Sequence, residues 1–360
     1  MKQNLKNFSI PLLGLCMLPG VAIASDVEEQ KEKGLVMQAV DKVAPSVSKY
    51  IGFSGYVVGR YAYDSSQDNS GNFDIRLLRL LIKGGFDDNN FGYLLQFEGT
   101  GGSDGFRTLD AWLEWKKYDF FQIRAGQMKR CFTIENNWSP VTLGVPDYSQ
   151  SILNLSGFTD RVGEHSSGGR DIGIKIGGNL FKMNNHHFLR YDVGVYNGAG
   201  INKADNNKTK DLIASMYLSP IKNFRFGGGY WLGEFGTEEK AVDRKRWNVG
   251  FVYDDGKYLL RGEYTASKGK IFDKPDSAAD TDGWYITAGM PVAKKLTTFV
   301  KYDVYRDDKT INTQNTKYMV ALNWDVTKYL RLQASYFYTD NNATPSKCSN
   351  NAVAQMYFTF

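Results

Sequence analysis

From residue 50 to the end, the chain repeats one pattern: a run of about ten to fourteen residues in which apolar and polar side chains alternate. Sixteen such segments can be read, beginning near Tyr50, Phe73, Phe91, Phe106, Phe120, Gly169, His187, Thr209, Asn223, Arg244, Lys257, Asp282, Lys295, Thr316, Tyr329 and Asn351. Alternation with a period of two marks a β-strand with two unlike faces. In the seventh segment Leu189, Tyr191, Val193 and Val195 share one face, and Arg190, Asp192, Gly194 and Tyr196 the other. The eleventh sets Tyr258, Leu260 and Tyr264 against Arg261 and Glu263; the fifteenth sets Leu330, Leu332, Ala334 and Tyr336 against Arg331, Gln333 and Ser335. At about 3.3 Å per residue and a tilt near 40°, eleven residues rise roughly 28 Å, the height of a bilayer core.

The connections alternate too. DDNN, MNNH, SPIKN, DDGK, PVAKK and DVTK are tight, and segments four and five abut at Tyr118-Asp119. The intervening connections are mostly longer, among them SSQDNSGN, AGINKADNNK, SKGKIFDKPDSAAD and one of about forty residues from Cys131 to Gly168. Short turns on one rim and long loops on the other describe a barrel of an outer membrane. Aromatic residues flank most of the short turns, as at Phe86 and Phe91, Trp115 and Phe120, and Trp324 and Tyr329, the spacing of an interfacial girdle. After the leader no run of eighteen apolar residues occurs, so the chain has no candidate transmembrane helix. The expected fold is all-β: a transmembrane antiparallel β-barrel of about sixteen strands, with short periplasmic turns and a long third extracellular loop folded into the lumen.

Residues 1–24 carry Lys2 and Lys6, an apolar stretch broken by Pro11 and Pro19, and the ending Ala22-Ile23-Ala24, the pattern of a secretory signal peptide. Residues 25–49 are charged and then weakly amphipathic, with Leu35, Val36, Ala39, Val40 and Val43 at helical spacing, and are expected to form a periplasmic segment or short helix. The barrel is expected over 50–360. Removing the leader takes away two lysines and no acid, leaving 42 basic against 39 acidic side chains. That near balance gives no argument for a nucleic-acid partner. Cys131 and Cys348 both fall in expected loops; two cysteines are too few for a disulfide scaffold, and a bridge or two free thiols are both open.

If the apolar faces look to lipid, the other faces line a lumen. Arg60, Arg79, Lys83, Arg124, Lys175, Arg190, Arg225, Arg246, Arg261, Lys301 and Arg331 then point inward, against Asp110, Glu114, Asp171, Asp192, Glu263 and Asp303. Eleven basic groups against six acidic ones in a confined pore favour anions. Some of these must pair across strands to stiffen the wall, Arg190 with Asp192 being one candidate. Structureless loops of forty residues are uncommon and usually functional. This one carries or adjoins Lys129, Arg130, Arg161, His165 and Arg170, opposed by Glu135, Asp147, Asp160 and Glu164, and is expected to narrow the pore.

The segments IRAGQMKRCFTIEN, GGRDIGIKIGG and YDVGVYNGAGIN resemble the phosphate-selective porin O and P family. The resemblance implies a sixteen-stranded barrel, a homotrimer, and a third loop folded inward. Gly126, Gln127 and Lys129 match the entry to that loop, and Arg170 and Asp171 the strand after it; Met128 stands where the family usually has Phe, and Cys131 where it has Pro. The last strand, AVAQMYFTF, resembles the C-terminal signature of bacterial outer-membrane proteins.

Other classes have less to stand on. The three histidines, His165, His186 and His187, form no catalytic or metal-binding set: two are adjacent, so on a strand they face opposite ways. No metal-spaced Cys/His cluster is present, and no cofactor is expected. A surface adhesin or structural barrel is the alternative; the external loops, moderate in length and polar, offer adhesion little. The expectation is a Gram-negative outer-membrane diffusion pore for small hydrophilic solutes, mildly favouring anions, phosphate among them, with Arg79, Arg124, Lys129, Arg130, Arg161, Arg170, Lys175, Arg190, Arg246, Arg261, Lys301 and Arg331 along its passage.

Overall fold

A computed structural model of the protein describes residues 50–68, 71–86, 88–99, 105–344 and 348–360; the expected signal peptide and the 25–49 segment lie outside the described residues. Sixteen antiparallel strands follow in chain order: β1 Gly52–Asp64, β2 Gly71–Phe86, β3 Phe91–Gly99, β4 Phe106–Tyr118, β5 Phe121–Lys129, β6 Arg170–Met183, β7 His186–Tyr196, β8 Asp211–Ile221, β9 Phe224–Gly236, β10 Ala241–Asp254, β11 Leu259–Lys268, β12 Asp280–Ala293, β13 Leu296–Arg306, β14 Gln314–Asp325, β15 Leu330–Asn341 and β16 Ser349–Thr359. Each strand pairs with its sequence neighbours, and β1 pairs with β16, so the sheet is a closed barrel. The seam runs in register from Tyr56↔Thr359 to Asp64↔Asn351, and Gly55 and Phe360 exchange two backbone hydrogen bonds of 3.0 Å below it. Closure leaves no sheet edge, which a lipid-facing sheet requires.

Every strand begins within three residues of the start read from the alternation. The faces follow the same logic. Val193, Val195, Leu260, Leu332 and Tyr336 are exposed on the outside, while Asp192, Arg261, Glu263, Gln333 and Ser335 are buried within. Among the described residues the register shifts at five places, two of them on the long-loop half of β1–β4. Val58 pairs with Leu77 but Gly59 with Ile75, so Arg76 is the extra residue of β2; Gln96 pairs with Asp110 but Phe97 with Thr108, so Leu109 is the extra residue of β4. Bulges of this kind re-aim side chains locally.

The connection from β5 to β6, residues 130–169, is the longest. It contains 3-10 turns at Glu135–Asn137 and Pro140–Thr142 and one short helix, α1, Gln150–Leu155. Its ends meet where Arg130 N–H donates to the Gly169 carbonyl at 2.9 Å. Gly157, at φ 83°, turns tightly beneath the Arg130 guanidinium, where any Cβ would overlap Nη1.

Candidate pore constriction

The loop is fastened to the inner wall along most of the barrel's circumference, by two different kinds of contact. The first is a set of buried ion pairs against β6–β13. Arg130 bonds Glu164 (3.0 Å) and Asp171 (2.7 Å); Arg244 bonds Glu164 (2.7 Å) and Asp211 (2.8 Å); Arg246 meets Asp160 at 2.6 Å. All three guanidinium groups lie within 5 Å of the Trp231 ring centroid, at 4.8, 4.9 and 4.8 Å. Beyond them Arg261 bonds Glu135 (3.1 Å) and the Leu143 carbonyl (2.9 Å). Lys301 lies 3.5 Å from Glu135, and Asp303 accepts the Gln150 N–H at 3.0 Å. The Glu263 carboxylate accepts the N–H groups of Ile134 (2.7 Å) and Glu135 (3.3 Å). Arg161 reaches outward instead, to Asp307 and to the Gly269 and Ala278 carbonyls, each at 2.7 Å.

Charge is therefore fixed where the loop meets this wall. Burial opposes ionisation of Asp160, but Arg246 more than offsets it and holds the carboxyl at about 2. Glu135 is likewise penalised by burial, yet Lys301 and Arg261 keep it below the ordinary carboxylate range. Burial pushes the Cys131 thiol up to about 11, so it behaves as a small apolar group. Both Cys131 and Cys348 are free.

The second kind of contact holds the loop tip, residues 138–147. Arg331 donates to the Val141 carbonyl at 3.0 Å, and Asn323 and Gln333 donate to the Gly144 carbonyl at 3.0 and 3.2 Å. Lys129 donates to the Trp138 carbonyl at 2.8 Å, and Arg76 pairs with the half-exposed Asp147 at 3.2 Å. Val141 packs on an apolar cluster that includes Tyr56, Val58, Leu77, Leu81, Leu94 and Trp112. Between this tip and β1–β3 lies a small cleft with room for about one water, lined by Arg79, Lys129 and Arg170 together with Tyr56, Leu81 and Pro140. Arg79 pairs with Glu98 at 2.7 Å and Arg170 with Asp110 at 2.8 Å; among the described residues Lys129 has no carboxylate partner, its ammonium resting on backbone carbonyls.

The residues singled out from sequence thus divide. Arg79, Lys129 and Arg170 line the cleft. Arg124, Lys175 and Arg190 stand together on β5–β7 on the short-turn side of the loop: Arg124 bonds Glu114 (3.0 Å), and Lys175 and Arg190 share Asp192 at 2.9 Å. Arg331 contacts the tip and Asp325. Arg130, Arg161, Arg246, Arg261 and Lys301 are buried and engaged in contacts between the loop and the wall. The count of eleven bases against six acids also needs correction. Glu98 and Asp211 are buried inward acids, and Arg244 is a further inward base. Glu98 shares its face with Leu94, and the rule that apolar faces look to lipid concealed it; Arg244 and Arg246 alternate on one face, which could have revealed the former. The same rule fails at Tyr56, Val58, Leu77, Leu81, Leu94 and Trp112, which are buried inside β1–β4 while Leu80, Leu95 and Leu113 between them are exposed outside.

The model of the family described as phosphate-selective porin O and P matches residues 52–224. No curated protein matches the sequence. Among solved structures, the anion-selective porin from Comamonas acidovorans superposes with a TM-score of 0.67 at 15% identity, covering 86% of this chain and 99% of that one. OmpT of Vibrio cholerae in its trimer form gives 0.60 at 14% identity over 86% and 99%. Salmonella typhi OmpF, solved with daunomycin, gives 0.66 at 12% identity over 86% and 97%. These likenesses are of fold; family and fold together point to a channel and not to an enzyme.

Proposed function

We propose that this chain is an outer-membrane porin, carrying the phosphate-selective porin O and P signature over residues 52–224, and that small hydrophilic anions, phosphate among them, cross its barrel past the loop tip on the β1–β3 side. One observation carries the reading. Arg79 and Arg107 share the one carboxylate of Glu98, at 2.7 and 2.6 Å, and Arg170 pairs with Asp110, so three guanidinium groups meet two carboxylates there. In a narrow, poorly screened space one uncompensated positive charge favours entry of an anion over a cation. Lys83 and Arg225, on inner-face positions of β2 and β9, have no carboxylate partner among the described residues and extend the positive potential toward the short-turn rim. The passage is passive, and the residues act as charges and donors, with no bond made or broken.

A planar-bilayer measurement under a potassium chloride gradient tests this. The reversal potential is expected on the chloride side. A potential on the potassium side would overturn the anion preference, and a folded barrel without conductance would favour a structural or adhesive role. We also propose a homotrimer, on the strength of the family signature; a species three times the chain mass on unheated gels, collapsing to the monomer on boiling, is the expected result.

A further inference from the structure

The two rims of the barrel carry their lysines differently. On the long-loop side Lys208, Lys210, Lys240 and Lys245 pair with Glu238, Asp205, Asp273 and Asp243. On the other side six of the seven short turns carry a lysine: Lys117 at the end of β4, Lys182 at the end of β6, Lys222 after β8, Lys257 after β10, Lys294 after β12 and Lys328 after β14. All six are exposed, and Lys117, Lys182, Lys222, Lys257 and Lys294 have no carboxylate partner among the described residues. The acids of these turns are engaged elsewhere. Asp119 lies by His187, Asp254 and Asp255 accept N–H groups of their own turn, and Asp325 bonds Arg331 on the inner face.

Exposed apolar side chains adjoin the lysines. Tyr118, Phe181, Ile221 and Tyr258, each next in sequence to one of them, are 44%, 69%, 58% and 46% exposed. The ammonium groups of Lys117, Lys257 and Lys328 lie 5.8, 4.8 and 5.1 Å from the ring centroids of Tyr118, Tyr258 and Tyr329. A lysine stem laid against an interfacial ring holds its charge at the level of lipid headgroups. The rim is thus an oily surface edged by positive charge that the chain does not itself balance.

We infer that the short-turn rim binds anionic phospholipids in preference to zwitterionic ones, phosphate oxygens meeting these ammonium groups and acyl chains lying on the apolar neighbours. This goes beyond solute passage and rests only on the outer-membrane reading above. A zwitterionic lipid also offers a phosphate, but its own ammonium faces the lysines as a like charge. An anionic polymer beneath the membrane fits less well, because lysines folded back onto rings do not reach away from the bilayer. Each lysine near an anionic surface favours it by about fivefold, within a Debye length.

The test places the purified full barrel in phosphatidylcholine bilayers containing a minor share of phosphatidylglycerol with brominated chains, which quench tryptophan on contact. Trp115, stacked edge-on with Tyr118, and the half-exposed Trp324 report from this rim. Brominated phosphatidylcholine at the same share is the reference. Phosphatidylglycerol is expected to associate about fivefold more strongly in low salt, and equally in about 1 M salt. Lys222→Gln, Lys257→Gln and Lys294→Gln together should remove most of the preference, and Lys208→Gln, Lys240→Gln and Lys245→Gln on the other rim should keep it. Equal quenching by the two lipids in the unmodified protein overturns the inference without needing any variant, as does an equal loss in both triple variants. Equal quenching together with binding to purified peptidoglycan would assign the rim to that polymer instead. A chain that stays dissolved without detergent would overturn the outer-membrane reading beneath the inference, so the two failures are distinguishable.

Discussion

Three guanidinium groups on one indole make Trp231 the most heavily loaded side chain of the lumen. Arg130, Arg244 and Arg246 would repel one another if Asp160, Glu164, Asp171 and Asp211 did not thread between them. Such a network contributes little net energy when whole, because desolvation offsets attraction, but removing one member leaves a buried charge alone. Arg246→Ala strands Asp160 and should cost about 3–5 kcal/mol of loop anchoring. The expected readout is new trypsin cleavage at Arg161 in a barrel that still migrates as folded before boiling; Arg190→Ala, at a part-exposed site remote from the loop, should show none. Acid should act at the same place. Asp160 titrates at about 2 in the fold, below the usual carboxylate value near 4, so its stabilising contribution is complete above about pH 4 and is lost as pH falls toward 2. Glu135 is depressed in the same direction. Pepsin digestion should therefore leave the loop of the folded barrel intact at pH 4 and cut it near pH 2; equal cleavage at both would show that these carboxylates do not anchor it.

At the scale of elements, the loop divides into a bolted part and a tip. The tip has no buried ion pair of its own and is held by the buried Leu143 and Val145 and by bonds to its carbonyls, so single substitutions there should shift it without releasing the rest. Arg76→Ala removes a half-exposed ion pair worth under about 1 kcal/mol, whereas Arg331→Ala removes a charge-assisted hydrogen bond to the Val141 carbonyl worth about 1.5–3 kcal/mol. Single-channel conductance is expected to rise more for Arg331→Ala than for Arg76→Ala, and in neither case with new protease sites at Arg161. The strands themselves were legible in the sequence because a barrel strand faces two solvents and its side chains must say which is which. Alternation is a local signal, and it placed the starts of β7, β11 and β15 within two residues, as well as their faces. What the loop touches was not legible. Glu135 meets Arg261, and Asp160 meets Arg246, across sequence separations of 126 and 86 residues, and nothing periodic links those positions. Basic residues could be assigned to the lumen, but whether each would face solute or a loop carboxylate depended on that folding-back. The apolar strip of β1–β4 was missed for the complementary reason: an inward Leu looks, in sequence, like a lipid-facing one.

For the whole molecule, selectivity follows from which charges remain uncompensated after the loop is seated, and the total count of inward bases is a poor guide to it. Arg124 shows the difference. It bonds Glu114 at 3.0 Å and lies 4.0 Å from the Trp112 ring centroid, so Arg124→Glu would set two buried carboxylates together. That substitution should lower the temperature at which the barrel loses its folded mobility on gels before it says anything about ions. Lys83 is the contrasting case, exposed at the inner end of β2 with no ion pair among the described residues. Lys83→Glu changes the passage by two charges with no buried partner to offend. If the passage runs along β1–β3, this variant should keep the heat stability of the parent while moving the reversal potential toward potassium. If the current instead ran elsewhere in the barrel, it would leave the potential unmoved, since a charge more than about 10 Å from the ion path is screened in ordinary salt.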